Sequence, residues 1–402
     1  MFNNHNINFK AIIYLLTFAV AIGAVCYHSS LNTQPAESTD IAEPVQPSAA
    51  VEDTDPAEEN LELVVEEEPE PEEPAVTHLE PRKVHGIYVT AQMAGTDAIA
   101  DLEQLVNDTD LNTMVIDVKN DDGNITYAMD CDLVNEYDST DILVADMPSL
   151  IQELHDQDIY VIGRIVCFKD PVLAEAQPEL ALTEDSGEAV GWVNPTRQEV
   201  WEYLVDIAIA ASETGFDEIQ FDYVRFPIGK SVDYGVDMEE HSKDYYLNQF
   251  FDYAADRLHS QDIIFGADLF GTVIGSPADM AATGQDYATL ATKADNLCPM
   301  IYPSHYANGN FGLDVPDAHP YECISGALDL SVQELASIPA EDCAIIRPWL
   351  QCFSASWVEG HITYNSAAIA QEIQAVYDAG YDEWILWNAV NNYKNVPDAL
   401  AH

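Results

Sequence analysis

Three aspartates share one local setting, near the end of a short apolar run. They are Asp117 in Ile116-Asp117-Val118, Asp222 in Gln220-Phe221-Asp222, and Asp268 in Ala267-Asp268-Leu269. Arginines fall in similar places at Arg164, Arg225 and Arg347. Rings and amides accompany them: Tyr302 and His305 in one run, Trp349 and Gln351 in another, Trp387 and Asn388 in a third. Acids beside aromatics and amides are what a sugar site needs. Rings stack on sugar faces, amides and guanidinium groups hold hydroxyls, and two carboxyls do acid/base or nucleophilic work. Each residue also has a plainer reading. A single strand-end Asp is often a turn residue or a cap. Asp117 equally suits an ion pair with Lys119 or Arg164, and His305 a hydrogen-bonding loop position. Convergence favours a site, because five run ends offer a carboxylate or an Arg to one predicted crevice.

Such convergence requires parallel strands that end on one face. The stretch from Gly215 to Pro227 carries the pattern most clearly. Alternate residues of a strand share a face, so Glu218, Gln220 and Asp222 point one way and Ile219, Phe221 and Tyr223 the other. Pro227 then ends the run. Strand patterns are predicted at 84–90, 113–119, 159–167, 217–223, 263–269, 296–302, 343–350 and 383–388. Helical patterns lie between them at 97–107, 147–157, 196–213, 241–259, 284–292, 321–335 and 365–379. Asn194-Pro195-Thr196 reads as a helix start and Gly380 as a helix stop. Eight strands in one alternating series predict an α/β fold, the (β/α)8 TIM barrel, with chemistry at the strands' carboxyl ends. An open doubly wound sheet is the other arrangement the alternation allows.

The 402 residues carry a formal net charge of −57. Residues 31–80 hold 16 acids and no Lys or Arg, leaving 55 acids against 14 bases elsewhere, so the predicted barrel is acidic too. Such a surface repels nucleic acid and anionic polymers and argues for a neutral or cationic partner. The seven cysteines form no CxxC or Cys/His cluster, and the 11 histidines are scattered, so no metal site is expected. No GxSxG, GxxxxGK[ST], GxGxxG or HExxH occurs, and no cofactor is expected. One or two disulfides are compatible with export, although the cysteines in predicted strands read as buried small hydrophobes.

Residues 1–29 contain an uncharged, mostly apolar run from Ala11 to Tyr27. It reads as a signal peptide or signal-anchor helix, which exports the remainder and leaves it anchored at the cell surface or, after cleavage, secreted. Any membrane contact is expected through this helix only. Residues 30–81 form a Pro- and acid-rich linker, expected to be disordered and extended by self-repulsion. The predicted barrel domain occupies 82–402.

The run Gly-Phe-Asp-Glu-Ile-Gln-Phe-Asp-Tyr-Val-Arg-Phe-Pro, with Tyr-Pro-Ser-His-Tyr and Arg-Pro-Trp-Leu-Gln, resembles a bacterial family named putative glycoside hydrolase. Gly191-Trp192-Val193-Asn194-Pro195 and Trp384-Ile385-Leu386-Trp387-Asn388-Ala389 extend the likeness over roughly 82–400. The resemblance implies an exported TIM-barrel hydrolase of glycosides. Phe216 to Val224 is also similar, more distantly, to the strand-four signature of family 18 chitinases. Asp217 and Asp222 match that signature, Gln220 replaces an acid, and Val224 stands where the chitinases place the catalytic Glu.

The reading from sequence is therefore a glycoside hydrolase acting on an extracellular polysaccharide or oligosaccharide. Asp222 is assigned as nucleophile or base, Asp268 as acid and Asp117 as the reserve carboxyl. Arg164, Arg225 and Arg347 are expected to orient a carboxylate or bind substrate oxygens. Tyr302, His305, Trp349, Gln351, Trp387 and Asn388 are expected to line the sugar subsite. The second reading is a non-catalytic carbohydrate-binding barrel, and the third a surface scaffold with a vestigial pocket.

Overall fold

A strand flanked by helices outside and side chains inside is apolar along most of its length. The eight strands meet that demand. The computed structural model describes residues 77–184 and 186–401; the predicted N-terminal helix and nearly all of the acidic linker lie outside them. Eight parallel strands close into a barrel: β1 His85–Val89, β2 Thr113–Lys119, β3 Tyr160–Val166, β4 Glu218–Asp222, β5 Phe265–Phe270, β6 Asn296–Met300, β7 in two pieces (Ile345–Ile346 and Trp349–Gln351), and β8 Trp384–Trp387. Neighbours pair in chain order. Trp349 of β7 lies opposite both Met300 and Ile385, and β8 pairs with β1 at His85 and Trp384, which completes the circle. The closed barrel excludes the open sheet.

Six longer helices wrap the strands: α1 Ile99–Asn107, α2 Met147–Asp156, α3 Gln198–Thr214, α4 Lys243–His259, α5 Pro320–Leu335 and α6 Ser366–Asp378. The single turn Tyr287–Leu290 follows β5, and Val396–Leu400 follows β8. Asn365 caps α6 by accepting from the Ala368 N–H. Gly380, at φ 87°, ends it as expected. Pro195 and Thr196 precede α3 but do not open it; the helix begins at Gln198.

The alternation of β4 sorts its residues as predicted up to Asp222. Ile219 and Phe221 join the outer core, where Phe221 meets Phe250 of α4. Glu218, Gln220 and Asp222 enter the barrel, where Val115, Ile162, Cys298, Trp349 and Ile385 form an apolar cluster. Tyr223 leaves the pattern. It takes φ 51° and its ring stays at the rim.

Sequence alternation treated 343–350 as continuous, but β7 breaks at Arg347-Pro348. Pro348 cannot donate to the ladder, and Arg347 turns inward at the floor of the barrel. There its Nη1 donates to Glu218 (2.7 Å), Nε to Glu383 (2.8 Å) and Nη2 to Asn296 (3.3 Å). Asp217 also serves structure: it accepts from the Val161 and Leu79 backbones and pairs with His155 at 2.9 Å. The six described cysteines are free, and no described helix is long and apolar enough to cross a membrane.

Arg347 is buried with two carboxylates, so its loss leaves both without a countercharge. Arg347→Met should lower unfolding free energy by about 3–5 kcal/mol. Adding Glu218→Gln should return part of that loss. Chemical denaturation of the two variants checks both outcomes.

Candidate active site

The carboxyl ends of β2 to β5 bring four ionisable side chains into one buried layer. Arg164 of β3 lies at its centre. Its Nη1 donates to Asp117 Oδ1 at 2.6 Å, while Nε and Nη2 reach Asp222 Oδ2 at 2.9 and 2.6 Å. Nη2 also stands 3.5 Å from Asp121. The strand registers explain the grouping. Asp117 pairs with Arg164 across β2 and β3, and Val166 pairs with Asp222 across β3 and β4. Asp222 falls one rung beyond the paired Phe221 and Ala267, which places it beside Asp268. Asp117 thus takes the ion-pair role with Arg164 while remaining inside the layer.

Asp268 receives no arginine. Gln220 Nε2 and Trp349 Nε1 both donate to its Oδ1, each at 2.5 Å. Burial pushes its carboxyl well above the usual range, and the charge of Asp222 adds to that effect. With Oδ1 taking two donors, the retained proton belongs on Oδ2, for which the described residues show no hydrogen bond. Asp222, also buried, has different partners. Besides Arg164 on Oδ2, its Oδ1 accepts the Tyr223 N–H at 2.6 Å. Burial also raises Asp117, against the opposing pull of Arg164, and Tyr88 donates to its Oδ2 at 2.7 Å.

Aromatic rings stand over this layer. Trp387 stacks on Tyr88 with centroids 4.1 Å apart, and the Arg164 guanidinium lies 5.5 Å from Tyr88 and 5.6 Å from Trp387. Tyr302 meets His305 at 5.4 Å and Phe353 at 6.1 Å. Phe353 in turn stacks on the exposed Trp357. Burial pushes the His305 imidazole down to about 4, so the ring is neutral near neutral pH. Arg225 lies at the rim between the ends of β4 and β5, near Tyr223 and Phe270.

Several expected residues are present but otherwise engaged. Arg347 lies at the opposite end of the barrel, among Glu218, Glu383 and Asn296. Gln351 spends its amide on Asp317, Phe353 and Ser304, and so binds the β6 and β7 loops together. Asn388 folds the loop after β8 through Cys352, Asn392 and Val390. Trp349 is buried and positions Asp268 through its indole N–H. Trp384 packs outside the barrel against His85.

Reasoning from sequence missed Tyr88, Asp121 as a partner of Arg164, and the service of Gln220 to Asp268. It also missed the buried pair of Lys119 and Asp170, 2.9 Å apart, in which Lys119 also donates to the Val166 carbonyl. The inward register of β1 and β4 was a signal for Tyr88 and Gln220. The lysine pair left none, because both residues also suit exposed loop ends.

A family model described as "Putative glycosyl hydrolase domain" matches residues 86–393. No curated protein matches the chain. A hypothetical protein from Ruminiclostridium thermocellum ATCC 27405 is 36% identical, with a TM-score of 0.42, over 45% of this chain and 96% of that one. The PgaB (BpsB) glycoside hydrolase domain from Bordetella bronchiseptica is 13% identical with a TM-score of 0.58, over 80% of this chain and 98% of that one. The C-terminal domain of a putative chitinase from Desulfitobacterium hafniense DCB-2 is 12% identical with a TM-score of 0.50, over 79% and 98%. At these identities the last two likenesses are of fold.

The raised carboxyl of Asp268 has a consequence for stability. Above the ordinary carboxylate range, the folded protein holds a proton that the unfolded chain has released. Stability therefore falls as pH rises from that range towards the raised value, by at most about 1.4 kcal/mol per pH unit. Asp268→Asn removes this dependence. Its stability relative to wild type should increase between about pH 4 and about pH 7, as measured by denaturation at each pH. A constant difference would contradict a protonated Asp268.

Proposed function

The chain belongs to the putative glycosyl hydrolase domain family, and from that premise we propose that it cleaves glycosidic bonds with Asp268 and Asp222 as the working pair. One observation carries the assignment: two neighbouring carboxyls have opposite environments. Asp268 is buried, with no cation in direct contact, and pushed towards its neutral form, whereas Asp222 is ion-paired with Arg164. A carboxyl pushed towards its neutral form beside one held by an arginine can divide acid and base roles with it at one pH.

In this reading Asp268 Oδ2 gives its proton to the glycosidic oxygen as the bond to the anomeric carbon breaks. Asp222 supplies the electron pair, either to the anomeric carbon directly or by taking a proton from the attacking water. Its Oδ1, with a single backbone donor, has the lone pair to spare. Arg164 is a positioning residue that holds Asp222 and Asp117 and balances the charge of the layer. Val224, at the place of the chitinase Glu, is wholly buried in the apolar core, so the acid role falls to the next strand. Trp387, Tyr302 and Phe353 offer ring faces to the sugar. The apolar run Ala11–Tyr27 and the acidic linker support an exported or surface-anchored enzyme, and hence an extracellular or cell-wall polysaccharide as substrate.

On a polysaccharide cleaved by the wild type, Asp268→Asn should slow release of reducing ends about 10²–10⁴-fold. The loss should be far smaller on an aryl glycoside whose leaving group needs no proton. Asp222→Asn should abolish both. Unimpaired hydrolysis by Asp222→Asn would remove that residue from the mechanism. Sugar binding without hydrolysis, unchanged in both variants, would favour a binding barrel.

A further inference from the structure

Of the thirteen described lysines and arginines, ten have a carboxylate within 4.0 Å; Lys243, Lys394 and, alone among the described arginines, Arg225 have none. Arg225 is nonetheless only 8% exposed, in a chain with 71 acids available to pair with it. Its guanidinium carbon lies 4.5 Å from the centre of Phe270, 4.8 Å from Trp192 and 5.3 Å from Tyr223. Of its five N–H groups, one Nη1 bond reaches an acceptor among the described residues, the Phe226 carbonyl at 3.2 Å. Burial pushes the group down to about 10, so it stays charged at neutral pH.

The surroundings hold it in place. Tyr223, at φ 51°, accepts the Arg225 N–H at 2.9 Å, and Phe226 N–H donates to Thr283. Lys169 stands 5.0 Å from the Tyr223 ring, so a second cation borders the same rim. Rings attract a guanidinium but do not satisfy its in-plane donors. A neutral hydroxyl would occupy one of those donors, whereas a carboxylate would occupy two and pair directly with a charge that Asp222 balances only from beyond 4.0 Å.

We propose that Arg225, with Trp192, Tyr223 and Phe270, forms a subsite for a carboxylate-bearing sugar next to the working carboxyls. This deepens the hydrolase reading and rests on it for cleavage, though not for binding. The chain's net charge still opposes long polyanions. Screening over roughly 8 Å at physiological ionic strength leaves a direct contact intact. The class implied is a polysaccharide in which acidic sugars are interspersed with neutral ones.

The test uses the full chain and two readouts. Titration with D-glucuronate, D-glucose and glucose 6-phosphate, followed by ligand-detected NMR, measures the subsite directly. Wild type should bind glucuronate about tenfold or more tightly than glucose, as expected for one charge-assisted pair. Arg225→Gln should bring that ratio to about one, and Arg225→Lys should keep part of it. Equal binding of the two sugars by wild type would overturn the proposal. So would a preference that survives Arg225→Gln, or binding of the phosphate alone. The wild-type comparison stands even if a variant fails to fold. The second readout counts reducing ends from a glucuronate-containing polysaccharide and its carboxyl-reduced form, and faster cleavage of the acidic form is expected. Glucuronate binding with neither polymer cleaved would keep the subsite and count against the hydrolase reading.

Discussion

Arg164 must satisfy more carboxylates than one guanidinium can fully serve, and the layout of the upper barrel follows from that. Its N–H groups are directed to Asp117 and Asp222, with Asp121 at the margin. Burial works against Asp121, yet Arg164 and Lys169 outweigh it and hold its carboxyl below the usual range. No cation among the described residues touches Asp268, and Arg164 acts on it only from a distance. Asp268 therefore depends on a neutral amide and an indole, and the charge on Asp222 drives it further towards the protonated form. Allocation of one cation thus turns two adjacent acids into chemically different groups.

The barrel makes this arrangement affordable by separating two ionic layers with an apolar one. Arg347 holds Glu218 and Glu383 at the floor, and Arg164 holds the upper set. Val115, Ile162, Cys298 and Ile385 lie in the interior cluster with Trp349. Removing an ion from water costs several kcal/mol even after relaxation, so each arginine needs its partners in place. The lower layer is buried and ties β7 to β4, β6 and the start of β8. The upper layer opens on the loops, where Tyr223 carries a strained left-handed backbone beside Asp222.

Much of this was legible in the sequence because the signals were local. Period-two alternation placed Gln220 and Asp222 inside and Phe221 outside, and the strand–helix alternation recovered all eight strands. What stayed hidden depends on partners far along the chain. Arg347 looked like Arg164, yet Glu218 lies 129 residues away, and the break at Pro348 turns the side chain to the floor. Gln351 and Asn388 looked free for sugar because their acceptors, Asp317 and the Cys352 carbonyl, sit on loops without a periodic signal. Trp349 carried the right residue type for a stacking platform, but its N–H has a more specific task.

The most direct test of the account is the protonation state of Asp268 in the resting protein. Isotope-edited infrared difference spectroscopy, comparing wild type with Asp268→Asn at neutral pH, reads it through the carbonyl stretch of a protonated carboxyl. The account predicts that wild type shows such a band and that Asp268→Asn loses it. An Asp268 that appears as a carboxylate at neutral pH would contradict the division of roles on which the mechanism rests.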